Sequence, residues 1–317
     1  MISEPSAPSQ NYRKFFFFLT ASILLTAVFW CYYDNSIRGV DSPNHLFFSL
    51  EFFYRMRDIL QSPASLIAKG AEILRALGTA TPSSTVYWPN GLYAGTAFFY
   101  YCSGPALFAA KLSMIPYLIA LIVATYLIGM RLFSEKIGLL AAAGCFFYPL
   151  IFQSARQYQL DLPLTAMVAC SVFLLLASEQ FNRRSISVCL GISCGWAMLI
   201  KGQFLLFIIG PLAYYLYAAR RTNVNPRQRR RQYVNFALFL VFFLLIASIW
   251  WGGKIRNVLD CLTIHVTEPL KALEMANYLS WEEKYSIRSI AFYIHTLALC
   301  SLRPFFSAYF SYRLCMP

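Results

Sequence analysis

The sequence predicts an all-α integral membrane protein, and three observations point there. Hydrophobic residues make up 58% of the 317 and charged residues only 13%, against about 25% charged in soluble domains, too few to cover a water-facing exterior. Apolar residues come in long runs: a helix rises about 1.5 Å per residue, so a hydrocarbon core of about 30 Å takes around 20 of them. The basic residues behind the net charge of +13 sit in short clusters between those runs. They form no stripe interleaved with exposed aromatics, which argues against a nucleic-acid partner.

The first apolar run, 15–33, follows Arg13 and Lys14. No small-x-small cleavage pattern follows Trp30, so it is expected to be a retained anchor helix rather than a signal peptide. Residues 34–112 are expected to form an outer loop with helices of its own. In 43–60, Asn44, Glu51, Arg55 and Asp58 recur on one helical face and Leu46, Phe47, Leu50, Phe53 and Tyr54 on the other. In 64–77, Ser65, Lys69, Glu72 and Arg75 oppose Leu66, Ile67, Leu74 and Leu77, and Gln61, Ser62 and Pro63 separate the two. Both read as interfacial helices lying in the membrane plane. The core spans are placed at 113–131, 137–152, 164–179, 186–201 and 203–219, a basic cytoplasmic loop at 220–233, and further spans at 234–252 and 291–308 within a C-terminal part, 234–317.

The apolar stretch 91–110 decides the parity. Short loops rich in Lys and Arg stay cytoplasmic, and the clusters are Arg13/Lys14, Arg131/Lys136, Arg183/Arg184 and the run from Arg220 to Arg231. If 91–110 crosses, the later clusters move to the side opposite Arg13/Lys14. If it lies against the outer face, all of them share one side. The second arrangement is predicted, with about eight crossings in a single membrane domain.

On that topology the outer surface collects Asp34, Arg38, Asp41, Arg156, Asp161 and Lys201 at span ends. Ionisable groups at bilayer level are costly and tend to pair or to function. Two carboxylates and two or three cations on one face suit a phosphate-bearing, lipid-borne substrate: cations bind the phosphate, and a carboxylate takes a proton from an attacking hydroxyl. Each has a plainer reading. Asp41, before Ser42 and Pro43, is also a helix cap, as is Asp161 before Pro163. Arg156 and Lys201 are also placed to snorkel to the headgroups. His45 reads as a solvated face residue, and the nine cysteines, without CxxC or His/Cys spacing, as small hydrophobes in a bundle.

Four stretches in order carry a family resemblance: Tyr87-Trp88-Pro89 with Tyr93, RLFSEKIGLLAAAGCFFYPL at 131–150, SARQYQLDLPL at 154–164 and GISCGWAMLIKGQFLL at 191–206. Together they resemble the polytopic membrane glycosyltransferases of the GT-C superfamily, which includes protein O-mannosyltransferases, aminoarabinose transferases and oligosaccharyltransferase catalytic subunits. The resemblance implies a polyprenyl-phosphate-linked sugar donor and an acidic residue shortly after the first span, where Asp41 stands. It implies a second acidic residue after span three, where Asp161 stands, and interfacial helices in the first outer loop. By that resemblance Asp41 is the catalytic carboxylate with Asp161 as the second acidic residue, Arg156 and Lys201 are candidates for the donor phosphate, and Tyr87, Pro89 and Tyr93 belong to the acceptor or donor loop. The superfamily's first motif is often Asp-Glu, whereas here Ser42 follows Asp41, so a divalent metal stays open. Relatives usually run well beyond 317 residues, which implies a shortened or truncated form.

The expected function is therefore inverting sugar transfer from a polyprenyl-phosphate donor to a lipid, glycan or protein acceptor. The expected location is multi-pass in a membrane, the bacterial inner (plasma) membrane in particular, with membrane lipids as surroundings. Two other classes compete. A transporter or flippase of a lipid-linked substrate predicts broken helices paired between symmetric halves, which the sequence does not display. A noncatalytic membrane subunit predicts indifference to the loss of Asp41.

Overall fold

The computed structural model describes residues 10–37, 41–82, 88–221 and 226–252, and among these every regular element is a helix. Helix α1 (Gln10–Tyr33) carries the predicted first span, and α2 (Ser42–Gln61) begins at the Asp41-Ser42-Pro43 signal. Asp41 occupies the cap position without a side-chain bond to the helix, and its carbonyl oxygen accepts the His45 amide at 3.0 Å. Pro43 falls in the first turn, where a missing N–H costs nothing. Ser65 caps α3 (Leu66–Gly78) by accepting the Ala68 amide, so Gln61, Ser62 and Pro63 do separate two helices.

The apolar face expected of α2 divides: Phe53 is buried and Leu46 and Leu50 pack partly buried against the core, Phe47 and Tyr54 stay exposed, and Ser42, His45, Phe48, Ser49, Phe52 and Met56 complete the buried side. The helix packs on α4 (Gly91–Ser103). His45 and Ser49, which find partners on α4, turn inward with Phe48, Phe52 and Phe53, and Phe47 and Tyr54 turn outward, where exposure to a lipid boundary carries little cost. Helix α3 follows its pattern, with Leu66 and Ile67 87% and 88% exposed on an apolar face that no described residue covers, as in a helix lying on a membrane surface.

Helix α4, at 13 residues, is about 20 Å long and falls short of a bilayer core. It stops at Gly104, whose φ of +81° suits glycine, with Pro105 next. The chain then enters α5 (Leu107–Leu112) and α6 (Ile115–Leu132), so 91–110 is two helices rather than one apolar rod. Helices α7 (Glu135–Phe147) and α8 (Pro149–Ser154) split the predicted run 137–152 at Pro149. Then come α9 (Asp161–Ala177), α10 (Arg184–Ile200), α11 (Phe204–Arg221) and α12 (Pro226–Trp251). Lys14–Tyr33, Leu107–Leu132 and Pro226–Trp251 are long and apolar enough to cross a membrane, and α9, α10 and the Phe204–Ala218 part of α11 are shorter apolar helices. The expected span 291–308 lies outside the described residues.

The bundle packs α6 against α7 and α9, α9 against α10, and α10 against α12. Glycines permit the close approaches. A Cβ on Gly138 would lie 2.5 Å from the Tyr126 carbonyl oxygen, and one on Gly191 2.5 Å from that of Phe239, the small-residue packing of membrane helices.

One end of the bundle gathers the basic clusters. Arg131 and Arg183 both pair with Glu179, at 3.1 and 2.6 Å. Asn235, just beyond Arg231 on α12, donates to the Phe181 carbonyl at 2.6 Å. Phe16, near the start of α1, stacks at 4.1 Å on Tyr126 in the last turns of α6. The charge count from the sequence and the packing therefore agree that these clusters share an end.

Candidate active site

At the opposite end, the first residue of α9 meets the residue after α10. These helices are joined by the turn at 178–183, so the start of one lies beside the end of the other. The Lys201 ammonium donates to Asp161 Oδ1 at 2.9 Å. Its side chain is 18% exposed and that of Asp161 65%, and so open a pair adds at most about 1 kcal/mol to stability. Asp161 is not the cap of α9: Leu160 holds that position and Asp161 is the first helical residue, where a carboxylate complements the positive end of the helix.

His45 joins this pair to Asp41. One turn into α2, it is 3% exposed, and its Nδ1 lies 2.8 Å from the Tyr93 hydroxyl on α4. The imidazole stands edge-on to Trp88 at 5.2 Å, and the Lys201 ammonium lies 5.9 Å from the centre of the same indole. Burial pushes the imidazole down from its ordinary 6.5 to about 4, with Asp41 and Asp161 opposing and Lys201 reinforcing the shift. His45 is therefore neutral at physiological pH. Asp41, Asp161 and Lys201 are the charged groups that act on this ring, and the contact seen among these three is the Lys201–Asp161 pair.

A buried hydroxyl network lies beside the site. Ser49 of α2 bonds Tyr100 of α4 at 2.9 Å, and Thr96 of α4 bonds Ser113 at 2.9 Å and Tyr158 at 2.7 Å. Tyr158 is fully buried three residues before Asp161, so the segment that delivers Asp161 is fastened to the helix that packs on α2. Sequence reasoning missed His45, Ser49, Tyr100 and Tyr158. The available signal was the polar series Tyr93, Thr96 and Tyr100, which recurs at helical spacing within an apolar stretch.

The remaining predicted residues fall elsewhere. Tyr87 and Arg38 lie outside the described residues. Pro89 and Tyr93 are buried, Tyr93 facing His45 within the fold. The Arg156 guanidinium stacks 4.9 Å from both the Trp30 and Phe152 rings. Asp34 is held by a buried lysine: Lys111, 2% exposed, lies 3.8 Å from its carboxylate and donates to the Asp34 and Ser36 carbonyls. That contact ties the strand of chain after α1 to the body.

The superfamily resemblance leaves a divalent cation open, and several of the potential donors here already have protein partners. Ser42 replaces the second carboxylate, Oδ1 of Asp161 is taken by Lys201 and Nδ1 of His45 by Tyr93. Among the described residues no three His, Cys, Asp or Glu side chains gather as ligands.

A family model described as dolichyl-phosphate-mannose-protein mannosyltransferase matches residues 93–251, half of the chain, from Tyr93 through the end of α12. The chain belongs to this family. The matched stretch of the mannosyltransferase family contains Tyr93, Arg156, Asp161 and Lys201, while Asp41 and His45 precede it. A crystal structure of ArnT from Cupriavidus metallidurans bound to undecaprenyl phosphate has a similar fold, with a TM-score of 0.55 at 19% identity over 79% of this chain. The alignment covers 42% of that protein, so this chain spans less than half its length. A comparison with curated proteins finds no match. Composition, the three helices among the described residues that are long and apolar enough to span a bilayer, and the family and fold make the chain an integral membrane protein.

Proposed function

We propose that this chain transfers a sugar, with inversion, from a polyprenyl-phosphate-linked donor to an acceptor hydroxyl at the outer face of the membrane. The observation that carries the reading is the Asp161–Lys201 pair beside the Trp88 ring, at the end of the bundle away from the basic clusters, with Asp41 at the start of the helix whose His45 meets the same indole. Family membership and the fold of an undecaprenyl-phosphate-binding neighbour support it. The acceptor oxygen attacks the anomeric carbon from the side opposite the phosphate. The bond from that carbon to the phosphate oxygen breaks, its electron pair leaves with polyprenyl phosphate, and the acceptor proton passes to the Asp41 carboxylate. Lys201, steered by Asp161, meets the leaving phosphate, whose developing charge needs a cation more than a proton. Arg156 is a further cation for the donor headgroup, held on aromatic faces.

The test uses labelled polyprenyl-phosphate sugars and identifies the labelled acceptor fraction. Asp41→Asn is expected to lower transfer by about 10²–10⁴-fold, the usual worth of a general base, while membrane insertion stays unchanged. Lys201→Ala is expected to lower kcat by about 10²-fold, as loss of a transition-state contact does. Transfer by Asp41→Asn at the wild-type rate would overturn the proposal, as expected of a transporter or a noncatalytic subunit.

A further inference from the structure

Two features of the outer-end cluster have no role in the chemistry above: the buried imidazole of His45 and the buried phenol of Tyr93. We infer that His45 is a positioning residue: through its hydrogen bond to Tyr93 it pins the first turn of α2 to α4 and so aims the Asp41 carboxylate at the Asp161–Lys201 pair across the Trp88 ring. The inference rests on the proposed role of Asp41.

The geometry supplies each link. Asp41 makes no side-chain bond to its own helix, and its carbonyl accepts the His45 amide at 3.0 Å, so its backbone is set by the turn that His45 closes. The 2.8 Å bond to Tyr93 bridges 48 residues of sequence and is buried at both ends. Tyr93 is fixed in turn, because α4 starts in contact with the end of α10: Gly91 lies against Leu199, two residues before Lys201. Asn90 Nδ2 donates to the Ala76 and Thr79 carbonyls at 2.9 and 2.7 Å, which holds the entrance to α4. The His45–Tyr93 bond, the one nearest Asp41, and the Ser49–Tyr100 bond one turn farther along therefore connect the helix bearing Asp41 to the frame bearing Lys201. His45 also stays neutral there, as burial dictates, and so does not draw the Asp41 carboxylate onto itself as an imidazolium would.

The experiment compares His45→Leu, Tyr93→Phe, their double variant and His45→Asn, whose amide nitrogen falls near the place of Nδ1. His45→Leu and Tyr93→Phe are each expected to lower kcat about tenfold or more with donor KM within about twofold, the signature of misaimed rather than missing groups. The double variant is expected to be no worse than the singles, because both remove the same bond, and His45→Asn to recover most of the loss. A second readout needs no turnover: the rate at which a water-soluble carbodiimide modifies Asp41, measured by mass spectrometry. That rate is expected to change several-fold in His45→Leu and Tyr93→Phe and to return toward wild type in His45→Asn. Asp58, exposed at the far end of α2, serves as the internal control for folding. An unchanged Asp41 labelling rate in both single variants, or additive losses in the double, overturns the inference. Failure of the Asp41 chemistry itself is separate, and shows as Asp41→Asn transferring sugar at the wild-type rate.

Discussion

The imidazole of His45 takes up a proton near pH 4 in the folded protein and near 6.5 when exposed. Between those values the unfolded chain binds the proton and the folded one does not, so stability is full above about pH 6.5 and falls as the pH drops toward 4. The loss is on the order of 3 kcal/mol at the low end. Asp41 and Asp161 moderate it by attracting the proton, and Lys201 adds to it. His45→Asn is expected to remove this component: the melting temperature of the detergent-solubilised variant should fall less than that of wild type between pH 6.5 and 4, and parallel curves would refute the assignment. The Asp161–Lys201 pair joins two residues that were singled out in the sequence because a charge beside an apolar run demands an explanation. His45 was not, since the partner that makes its burial tolerable lies 48 residues away. Asp34 was misleading for the related reason that its cation, Lys111, looks in sequence like one more interruption of an apolar run.

Helices were legible from apolar length and one break from Gln61, Ser62 and Pro63, whereas the ends at Gly104-Pro105 and Pro149 were read through as continuous runs. Faces were harder. In a soluble helix the apolar side points inward, but on α2 the outward neighbour is the lipid boundary, so Phe47 and Tyr54 face out and His45 and Ser49 face in. Close helix contacts depend on single glycines. A Cβ on Gly91 would stand 2.5 Å from the Leu199 carbonyl oxygen and 2.7 Å from its carbon, both backbone atoms that cannot swing away. Gly91→Ala is therefore expected to force α4 off α10 and destabilise the protein by about 1–3 kcal/mol. Gly70, on the open side of α3, has nothing within 4 Å of its Cβ position, and Gly70→Ala is expected to be neutral or to stabilise by about 0.5–1 kcal/mol. Thermal unfolding of the two variants side by side checks the contrast, and equal effects would sink it.

Across the whole molecule, charge divides between two ends. Arg131 and Arg183 meet at Glu179 at one end, and the Asp161–Lys201 pair lies at the other, with Asp41 at the start of α2. The positive-inside rule predicts that the first end faces the cytoplasm. Single-cysteine labelling from either side of the membrane is expected to reach the 34–90 segment and the 220–231 segment from opposite sides, and labelling of both from one side would refute this orientation. Parity of basic clusters made the division legible before any coordinates, because it needs only loop charge and span count. The helical spacing of Tyr93, Thr96 and Tyr100 marked a polar face on α4, but the Ser113 and Tyr158 partners of Thr96 lie 17 and 62 residues away, beyond the reach of any local pattern. Helix α3 bears on this arrangement in another way. Its uncovered Leu66, Ile67 and Leu74 seek the headgroup boundary, while Asn90 fastens its last turn to the start of α4. A helix lying at that boundary sets the height of whatever is fastened to it, and the Asn90 bonds fasten the start of α4 to α3.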